Sequence, residues 1–547
     1  MHYVMPFLLA LIVSMAGLPV FGRVASKWGM VDRPSSRKVH TATIPRIGGL
    51  AMIIGIVVSA VLTIQLEPAD RYFLGAAGVL TVFGILDDRF DLDYRVKLVG
   101  QVFAVLIVVF LGDVQITAIT LDDRVMLPIW VSVPLTIFFL VGITNAINLA
   151  DGLDGLAGGT TFLCFGALAL LAHSSGQTVC TSLALAFAGA VLGFLRFNTY
   201  PASVFMGDAG SQLLGFGVGV LSLRASQNSE TAISAAMPIL LFALPIMDTL
   251  SVMVQRISEG RSPFSADKNH IHHKLLKLGF DHNEAVMVIY AFQGVLFLLA
   301  YALRFESDLT ILGVVLAFFV GSIGILQVAL RRGWRLRSTA GGKPKVSPVT
   351  RLIGKLREPQ RLPRWSYFGV SIAVGAYAVL ICCRTAFLSR DLQILVLGLL
   401  AVTIFLLALL RLKPLSFVEK AAVYITTTLL VYLDTVVIPP QPIYSILTWV
   451  AVGVAAIGTA LRFRLYPDWR TALTPLDMIV LFAALIVPSL PDAFGLPNGG
   501  AAGIAKLAIL FYALEALTSR TELGIVWVRL AVASLLTGLI VRPLLPI

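Results

Sequence analysis

Residues 129–159 read IWVSVPLTIFFLVGITNAINLADGLDGLAGG, an apolar run that ends in amides, carboxylates and four glycines. The apolar part predicts a membrane-crossing helix over residues 129–147. Its polar residues recur at every third position: Asn145, Asn148, Asp151 and Asp154. Neighbouring members therefore share one helix face, although a polar helix end with a glycine-rich stop would look the same. Polar groups near membrane depth are costly and usually functional.

The composition places the whole chain in a membrane. The 547 residues are 58% hydrophobic and 13% charged, with a mean hydropathy of +0.89. Repeated apolar runs of this kind predict an all-α, polytopic integral membrane protein. The net charge of +12 is typical of cytoplasmic loops, so no nucleic-acid partner is expected. The four cysteines form no CxxC pair, which argues against a disulfide framework or a cysteine zinc site.

Apolar segments predict about eleven transmembrane helices in the first half of the chain. They lie near residues 3–21, 47–66, 72–86, 97–111, 129–147, 156–172, 179–195, 211–224, 231–250, 285–303 and 308–330. About seven more are predicted near residues 366–383, 391–410, 416–434, 443–461, 475–489, 502–518 and 523–542. The first span lacks a basic n-region and is interpreted as retained rather than cleaved.

A basic segment divides the two halves. Residues 331–364 contain eleven Lys or Arg, one acid and four prolines, without an apolar period. We therefore predict a first membrane-embedded domain over residues 1–330, a basic cytoplasmic linker over 331–365 and a C-terminal transmembrane domain over 366–547. The second half shows no carboxylate, histidine or glycine cluster that indicates a site. Basic loops alternate with less basic ones, so all the polar clusters of the first half are predicted to face the cytoplasm.

Acidic clusters end or begin other predicted spans. Asp87 and Asp88 end the third span, and adjacent carboxylates can bind a divalent metal or shift each other's pKa. Asp208 precedes another span in the stretch FMGDAGS, where it could hold a metal or act only as a helix cap. Phe205 in that stretch offers an aromatic face or a core contact.

Basic clusters occupy the same predicted side. The loop SADKNHIHHKL contains Lys268, His270, His272 and His273. Zinc is one interpretation, but the loop lacks the HExxH spacing, and a phosphate-binding role fits better because a phosphate favours charged histidines. The first loop adds four further cationic candidates: Arg37, Lys38, His40 and Arg46. Metal-binding acids beside phosphate-binding cations indicate transfer between two phosphate substrates.

These motifs, taken in order, resemble one family. RKVH…PRIGG, LDDRFDLDYRVK, NAINLADGLDGLAGG, RFN…PASVFMGDAGS and SPFSADKNHIHH are similar to the polyprenyl-phosphate N-acetylhexosamine-1-phosphate transferases over residues 1–330. The form DKNHIHH is closer to the enzymes that use UDP-N-acetylglucosamine than to phospho-MurNAc-pentapeptide transferases. The resemblance implies transfer of HexNAc-1-phosphate from UDP-HexNAc to undecaprenyl phosphate, with release of UMP and with Mg²⁺ or Mn²⁺ as cofactor.

The resemblance also implies roles for individual residues. Asp208 and Asn148 would be metal ligands. Asp87 would engage or deprotonate the lipid phosphate, with support from Asp88. The nucleotide and sugar site would contain Asp151 and Asp154. Asn198 and Phe205 would lie near the uracil, and Lys268, His270, His272 and His273 on the diphosphate or sugar. Asn145 is a further candidate for substrate binding.

The wider expectations are a bacterial inner-membrane enzyme with its active site facing the cytoplasm. It would start a lipid-linked glycan such as O-antigen, enterobacterial-type common antigen or a teichoic-acid linkage. A secondary transporter is the alternative from another class. A second copy of the chain is a candidate partner, as is a later glycosyltransferase or a flippase docked on the C-terminal half.

Overall fold

The structure is a computed structural model. It describes residues 3–32, 43–120, 124–227, 233–262, 269–336, 361–385, 393, 396–397, 400–401, 417–439, 441–465, 474–486, 500–518, 534, 536–539 and 541. By its internal contacts the chain divides into two compact units. The first comprises residues 1–342 and 474–479, and the second comprises residues 343–473 and 480–547.

The described part of the first 336 residues is helical with two small ladders. Its helices are α1 (Val4–Trp28), α2 (Gly48–Thr63), α3 (Pro68–Phe90), α4 (Tyr94–Phe110), α5 (Ile129–Ala150), α6 (Leu156–Ser174), α7 (Thr178–Asn198), α8 (Gly207–Gln227), α9 (Met237–Leu241), α10 (Ala243–Ser258), α11 (Ile271–Lys277), α12 (His282–Ala302) and α13 (Asp308–Arg331). The antiparallel strand pairs are β1 (Val31–Asp32) with β2 (Ile44–Pro45), and β3 (Ala118–Thr120) with β4 (Arg124–Met126).

Further helices follow residue 360. They are α14 (Arg361–Arg384), α15 (Phe417–Tyr432), a π-helical turn (Leu433–Val437), α16 (Pro442–Leu465), α17 (Pro475–Ile486) and α18 (Gly500–Thr518). Among the described residues, nine helices are long and apolar enough to cross a membrane, seven before residue 332 and two after residue 360. The predicted all-α, polytopic membrane fold is confirmed. The predicted linker and several predicted C-terminal spans lie largely outside the described ranges.

The span predicted at residues 231–250 is divided in the structure. It forms α9 and α10, which meet at Phe242. Pro245 has no N–H to donate to the carbonyl of Leu241, so a continuous helix would lose a hydrogen bond there. The side chain of Gln293 in α12 donates to that carbonyl instead, at 3.0 Å. The break is therefore stabilised by a neighbouring helix, as buried backbone groups require.

Helix α8 is the central helix of the first unit, and it positions the candidate site. It packs against α2, α3, α5, α6 and α7. It approaches α5 closely because Gly215 has no side chain: a Cβ there would lie 2.8 Å from the Cα of Thr144. Small residues at such contacts are typical of membrane helix packing. At its C-terminal end Arg224 Nη1 lies 2.5 Å from Oδ1 of the fully buried Asp70 in α3, which fixes the two helices against each other.

Candidate active site

Two helix ends and one helix start converge at one end of the first unit. Asp87 and Asp88 lie in the last turn of α3, and Asn148 lies in the last turns of α5. Asp208 lies in the first turn of α8. The structure thus brings together acidic and amide residues that the sequence separates by up to about 120 positions.

A lysine joins two of the carboxylates. Nζ of Lys97, in the first turn of α4, lies 2.6 Å from Oδ2 of Asp87 and 3.1 Å from Oδ2 of Asp208. Two carboxylates this close would repel each other without an intervening cation. The Asp87 side chain is 2% exposed and that of Asp208 is 33% exposed, so the pair opens to solvent on the Asp208 side. The ammonium group neutralises part of this charge.

The amide residues of α5 divide into two groups. Asn148 Nδ2 donates to Oδ1 of Asp208 at 2.9 Å and to Oγ of Ser211 at 2.7 Å, so Asn148 belongs to the carboxylate cluster. Asn145 Nδ2 instead donates to Gln101 Oε1 at 2.7 Å, one helical turn deeper. Gln101 in turn reaches Gln212 at 3.3 Å. The Asn145 amide therefore links α5 with α4 below the cluster.

Asp88 caps the start of α8 from another helix. Its carboxylate accepts the backbone N–H groups of Asp208 at 3.0 Å and Ala209 at 3.2 Å. The first N–H groups of a helix have no partner within the helix, and an anion there is favourable. Nη1 of Arg46 lies 3.9 Å from the same carboxylate, and Nη2 of Arg46 is held 2.6 Å from Asp32. Asp88 is thus tied to α8 and to the predicted cation Arg46.

Glycines allow the backbones around Asp208 to touch. A Cβ at Gly84 in α3 would lie 2.3 Å from the Cα of Ala209, and one at Gly49 in α2 would lie 2.3 Å from the backbone N of Gly210. Gly207 adopts a φ of +68°, a conformation that favours glycine. These contacts leave the first turn of α8 little freedom to shift relative to α2 and α3.

The loop after α5 is held in place by hydrogen bonds of Asp154 and Asn198, two of the predicted site residues. Asp154 accepts the backbone N–H of Ala202 at 2.9 Å. Asn198 accepts the N–H of Gly155 at 2.9 Å and donates to the carbonyl of Val204 at 2.9 Å. Asn198 is buried, so its side chain braces two loops. These bonds hold the loop after α5 against the loop between α7 and α8, which leads to Asp208.

Asp151 directly follows the last residue of α5 and takes no part in the hydrogen bonds that Asp154 and Asn198 make between the two loops. The surrounding protein removes part of its hydration, and the carboxylates of Asp208, Asp154 and Asp88 add repulsion. Both effects raise the pKa of Asp151 above its ordinary value, but the residue is exposed, so solvent screens part of each effect. A cation bound nearby would favour its charged form.

Phe205 lies between the first loop and α8. Its backbone N donates to the carbonyl of Pro45 at 2.9 Å, and its own carbonyl accepts from Gly48 at 3.0 Å. Phe205 is half-buried. These two backbone hydrogen bonds place Phe205 beside Arg46. They therefore hold the end of the first loop next to the stretch that leads to Asp208.

The histidine loop ends in the short helix α11. His270 Nδ1 lies 2.9 Å from Oδ2 of Asp248 in α10, and the other oxygen of Asp248 accepts the N–H of Ile271 at 2.7 Å. His272 is buried and lies against Gly152, where a Cβ would come within 2.4 Å of its ring. The His273 ring lies against the His272 ring, with centroids 4.2 Å apart and an angle of 46° between the ring planes.

The pKa of His272 is lowered to about 4, because burial and then the neighbouring His273 disfavour its charged form. It is therefore neutral at pH 7 in this structure. For His272 to carry the positive charge that the sequence predicts for this loop, an anion such as a phosphate must therefore approach it. Four predicted cationic residues, Arg37, Lys38, His40 and Lys268, lie outside the described residues.

Three residues of the site were not predicted: Lys97, Asp248 and Asp32. Lys97 follows Asp87 across the short turn at residues 91–93, and two helices joined by such a turn pack antiparallel. The spacing of Asp87 and Lys97 in the sequence therefore indicates that they can meet. No such pattern in the sequence indicates the contact of Asp248, because its partner His270 lies beyond the end of α10 and enters from another chain segment.

Comparison with known proteins gives a consistent relationship. The sequence profile of glycosyl transferase family 4 matches residues 71–226. The Bacillus subtilis (strain 168) protein named "Probable undecaprenyl-phosphate N-acetylglucosaminyl 1-phosphate transferase" is 40% identical over 291 residues, which are 52% of this chain and 81% of that protein. The Yersinia pestis undecaprenyl-phosphate alpha-N-acetylglucosaminyl 1-phosphate transferase is 31% identical, over 59% of this chain and 90% of that protein.

A third relative comes from Mycolicibacterium smegmatis. Its decaprenyl-phosphate N-acetylglucosaminephosphotransferase is 35% identical over 57% of this chain and 84% of that protein. These three relatives cover between 52% and 59% of this chain. The remainder is an extension with respect to them.

Proposed function

The chain belongs to glycosyl transferase family 4, among the polyprenyl-phosphate N-acetylglucosamine-1-phosphate transferases, and we propose that it transfers HexNAc-1-phosphate from a UDP-sugar to undecaprenyl phosphate. GlcNAc is the donor sugar we propose, because the three relatives above are named for N-acetylglucosamine. The observation that carries the proposal is the cluster of Asp87, Asp208 and Lys97 at the end of three helices.

The proposed reaction exchanges one phosphoanhydride bond for another. An oxygen of the lipid phosphate attacks the phosphorus that bears the sugar, and the bond from that phosphorus to the UMP oxygen breaks. The products are undecaprenyl-diphosphate-HexNAc and UMP. A phosphate monoester is largely ionised at neutral pH, so the attacking group needs positioning more than deprotonation. We assign that positioning to Asp87, with Lys97 offsetting the repulsion between carboxylate and phosphate.

A divalent metal fits the donor set. Among the described residues, no three His, Cys, Asp or Glu side chains converge as a ready metal site. Mg²⁺ usually takes one or two carboxylates and completes its shell with water and substrate phosphates. We propose that Asp208 and Asn148 hold it, after the Asn148 amide turns its oxygen toward the ion. When bound, Mg²⁺ would neutralise charge on the phosphate oxygens.

The remaining residues then receive binding roles. Asp88 keeps Asp208 in place by capping α8, so we regard it as a positioning residue. Asp151 and Asp154 face the proposed nucleotide and sugar site, which Asn198 braces. His270, held by Asp248, and His272 are proposed to meet the diphosphate, whose charge would raise the depressed pKa of His272.

The distribution of basic residues supports the proposed location of the site in the cell. The clusters all lie at one end of the first unit, and the basic loops predict that this end faces the cytoplasm of a bacterial inner membrane. The product would then start a lipid-linked glycan such as O-antigen, common antigen or a teichoic-acid linkage. Polar clusters at one end also fit transport poorly, because transporters place such groups near the midplane.

The test is UMP release by purified full-length protein with undecaprenyl phosphate and a panel of UDP-sugars. The panel contains UDP-GlcNAc, UDP-GalNAc and UDP-MurNAc-pentapeptide, each assayed with Mg²⁺, with Mn²⁺ and with a chelator. We expect metal-dependent release with UDP-GlcNAc. Release only with UDP-MurNAc-pentapeptide would refute the proposed donor, and release that survives exhaustive chelation would refute the proposed metal.

A further inference from the structure

The second unit contains a buried ion pair that the sequence did not reveal. Asp434 lies in the π-helical turn after α15, and Lys506 lies in α18. Nζ of Lys506 is 2.6 Å from Oδ2 of Asp434, and their side chains are only 5% and 3% exposed. Ionisable residues within membrane segments are costly and usually functional.

Other polar groups surround this pair. Tyr377 donates its hydroxyl to Oδ2 of Asp434 at 3.1 Å, and Lys506 donates to Thr448 Oγ1 at 3.0 Å. Nη1 of Arg384 lies 4.0 Å from Oδ1 of Asp434, with the Arg384 side chain 9% exposed. The cluster thus takes its members from four chain segments. Uncommon π-helical turns often lie at functional sites, and this one carries the carboxylate.

The cations outnumber the carboxylates. Within the described part of the second unit, Asp434 is the carboxylate recorded within ion-pair distance of Lys506 and of Arg384. Two buried cations therefore share one anion. A buried pair by itself is weak evidence for stability, because the desolvation of both charges opposes their attraction. Arg384 Nη2 also donates to the carbonyl of Pro439 at 2.6 Å, which carries no net charge. Among the described residues the cluster therefore keeps one net positive charge beside the hydroxyl groups of Tyr377 and Thr448, and phosphate accepts charge-assisted hydrogen bonds well.

The cluster lies toward one end of its helices. Arg384 ends α14, whereas Thr448 and Lys506 lie seven residues from the starts of α16 and α18, counting the first residue. The opposite ends carry basic residues, with Arg361 at the start of α14 and Arg462 near the end of α16. With Arg364 and Arg464, these opposite ends carry more basic residues than the end of α14 at Arg384. An excess of basic residues marks the cytoplasmic side, so we place the cluster nearer the extracytoplasmic face.

We propose that Lys506 and Arg384 form a binding site for a phosphate group that approaches from the extracytoplasmic side, and that Asp434 competes with the phosphate for the same two cations. The phosphate is either a free anion or the headgroup of a lipid monophosphate. This site is separate from the transferase cluster and does not depend on the proposed transferase function.

The test measures equilibrium binding to full-length protein in detergent. The probes are radiolabelled inorganic phosphate and, separately, undecaprenyl phosphate followed by native mass spectrometry. The variants are Lys506→Met, Asp434→Asn and the double variant that carries both substitutions. Arg332→Met is the control, because it removes one exposed cation from the first unit. Phosphate bound at other sites is common to all forms and cancels in the comparison.

We expect Lys506→Met to weaken phosphate binding by about tenfold or more relative to the wild type, and the double variant to bind about tenfold more weakly than Asp434→Asn, since in each comparison a charged hydrogen-bond partner is lost. Asp434→Asn should strengthen it by a similar factor, because the competing carboxylate is gone. The control should match the wild type, and UMP release should be unchanged in every form. A response to inorganic phosphate identifies a free anion, and a response to undecaprenyl phosphate alone identifies a lipid headgroup.

The opposite sign for Asp434→Asn is the decisive result. If Asp434→Asn weakens binding as Lys506→Met does, or if all folded variants bind alike, the pair is only structural and the proposal fails. The double variant keeps this test valid if Lys506→Met does not fold, since it leaves no unpaired carboxylate in the core.

Discussion

The ammonium group of Lys97 lies 2.6 Å from the carboxylate of Asp87, across the turn that joins α3 to α4. The same ammonium lies 3.1 Å from Asp208, so one cation balances two acids. This arrangement places Lys97 where a divalent metal would also be attracted, and the two cations are expected to compete. The competition gives a prediction whose sign is unusual for an active-site variant.

Lys97→Met should lower turnover, by about a hundredfold, and yet bind Mg²⁺ more tightly than the wild type. The loss removes one positive charge from the carboxylate pair, which strengthens its attraction for a divalent ion. The measurement is the Mg²⁺ concentration that gives half-maximal UMP release, together with the thermal stability with and without chelator. Lys27→Met, at an exposed lysine, is the control. If Lys97→Met needs a higher Mg²⁺ concentration than the wild type for half-maximal UMP release, Lys97 does not compete with the metal.

Asp208→Asn and Asp87→Asn should each reduce UMP release by about a hundredfold or more without unfolding the protein. Each substitution keeps the size of the side chain and removes a charge that balances metal or phosphate. Asp93→Asn is the matched control, because Asp93 is an exposed cap of α4 and asparagine also caps helices well. Full activity in either active-site variant would remove that residue from the mechanism.

Gly84→Ala should abolish activity although it adds only one methyl group. Its Cβ would lie 2.3 Å from the Cα of Ala209, so α8 must move away from α3 and carry Asp208 with it. Gly78→Ala, in the same helix, has no atom within 4 Å of the new Cβ and should be neutral or stabilising by up to about 1 kcal/mol. UMP release and melting temperature of both variants decide this. Equal activity in the two would mean that the contact is not needed.

The stability of the wild type should fall as the pH decreases from 7.5 to 5, partly because of His272. Its pKa is about 4 in the folded protein, against an ordinary value near 6.5. The unfolded chain therefore binds this proton more readily below pH 6.5, and stability is lost as pH falls toward 4. Between pH 7.5 and pH 5, this difference in the pKa of His272 lowers the free energy of unfolding by about 2 kcal/mol. His272→Gln should show a correspondingly smaller loss in thermal melts, and an identical slope would show that His272 is not buried in solution.

Truncation tests the predicted division of the chain. A protein ending at residue 340 should fold and retain UMP release within about threefold of the full chain, because the described cluster belongs to the first unit. Size-exclusion chromatography and the UMP assay are the measurements. A truncated protein that is folded but inactive would show that the transferase requires the C-terminal half.

The sequence was informative where one segment carried both the signal and its consequence. Asp87 with Asp88, the amides after the apolar run and Asp208 all end or begin helices, as their positions beside apolar runs predict. Contacts between distant segments could not be predicted in the same way. Nothing near Asp248 in the chain indicates that His270 will meet it, because the hydrogen bond depends on how the loop before α11 returns to α10.

The second half shows the same difference. Asp434 and Lys506 are isolated charges in separate apolar segments, 72 residues apart in the chain. Neither forms a motif, so inspection of spacing found no site there. A single charge in an apolar run nevertheless demands a partner, and two such charges of opposite sign were an available signal.

The turn between α3 and α4 also bears on how the protein enters the membrane. Lys97 and Asp87 lie in consecutive helices, whereas Asp208 follows Lys97 by 111 residues. During synthesis the hairpin of α3 and α4 emerges long before α8. Asp87 and Lys97 can neutralise each other at once, so these two charges are paired before α8 is made, whereas Asp70 of α3 finds Arg224 only when α8 arrives. Later arrival of α8 then converts a simple ion pair into a three-membered cluster, so the order of translation is also the order in which the candidate site is assembled.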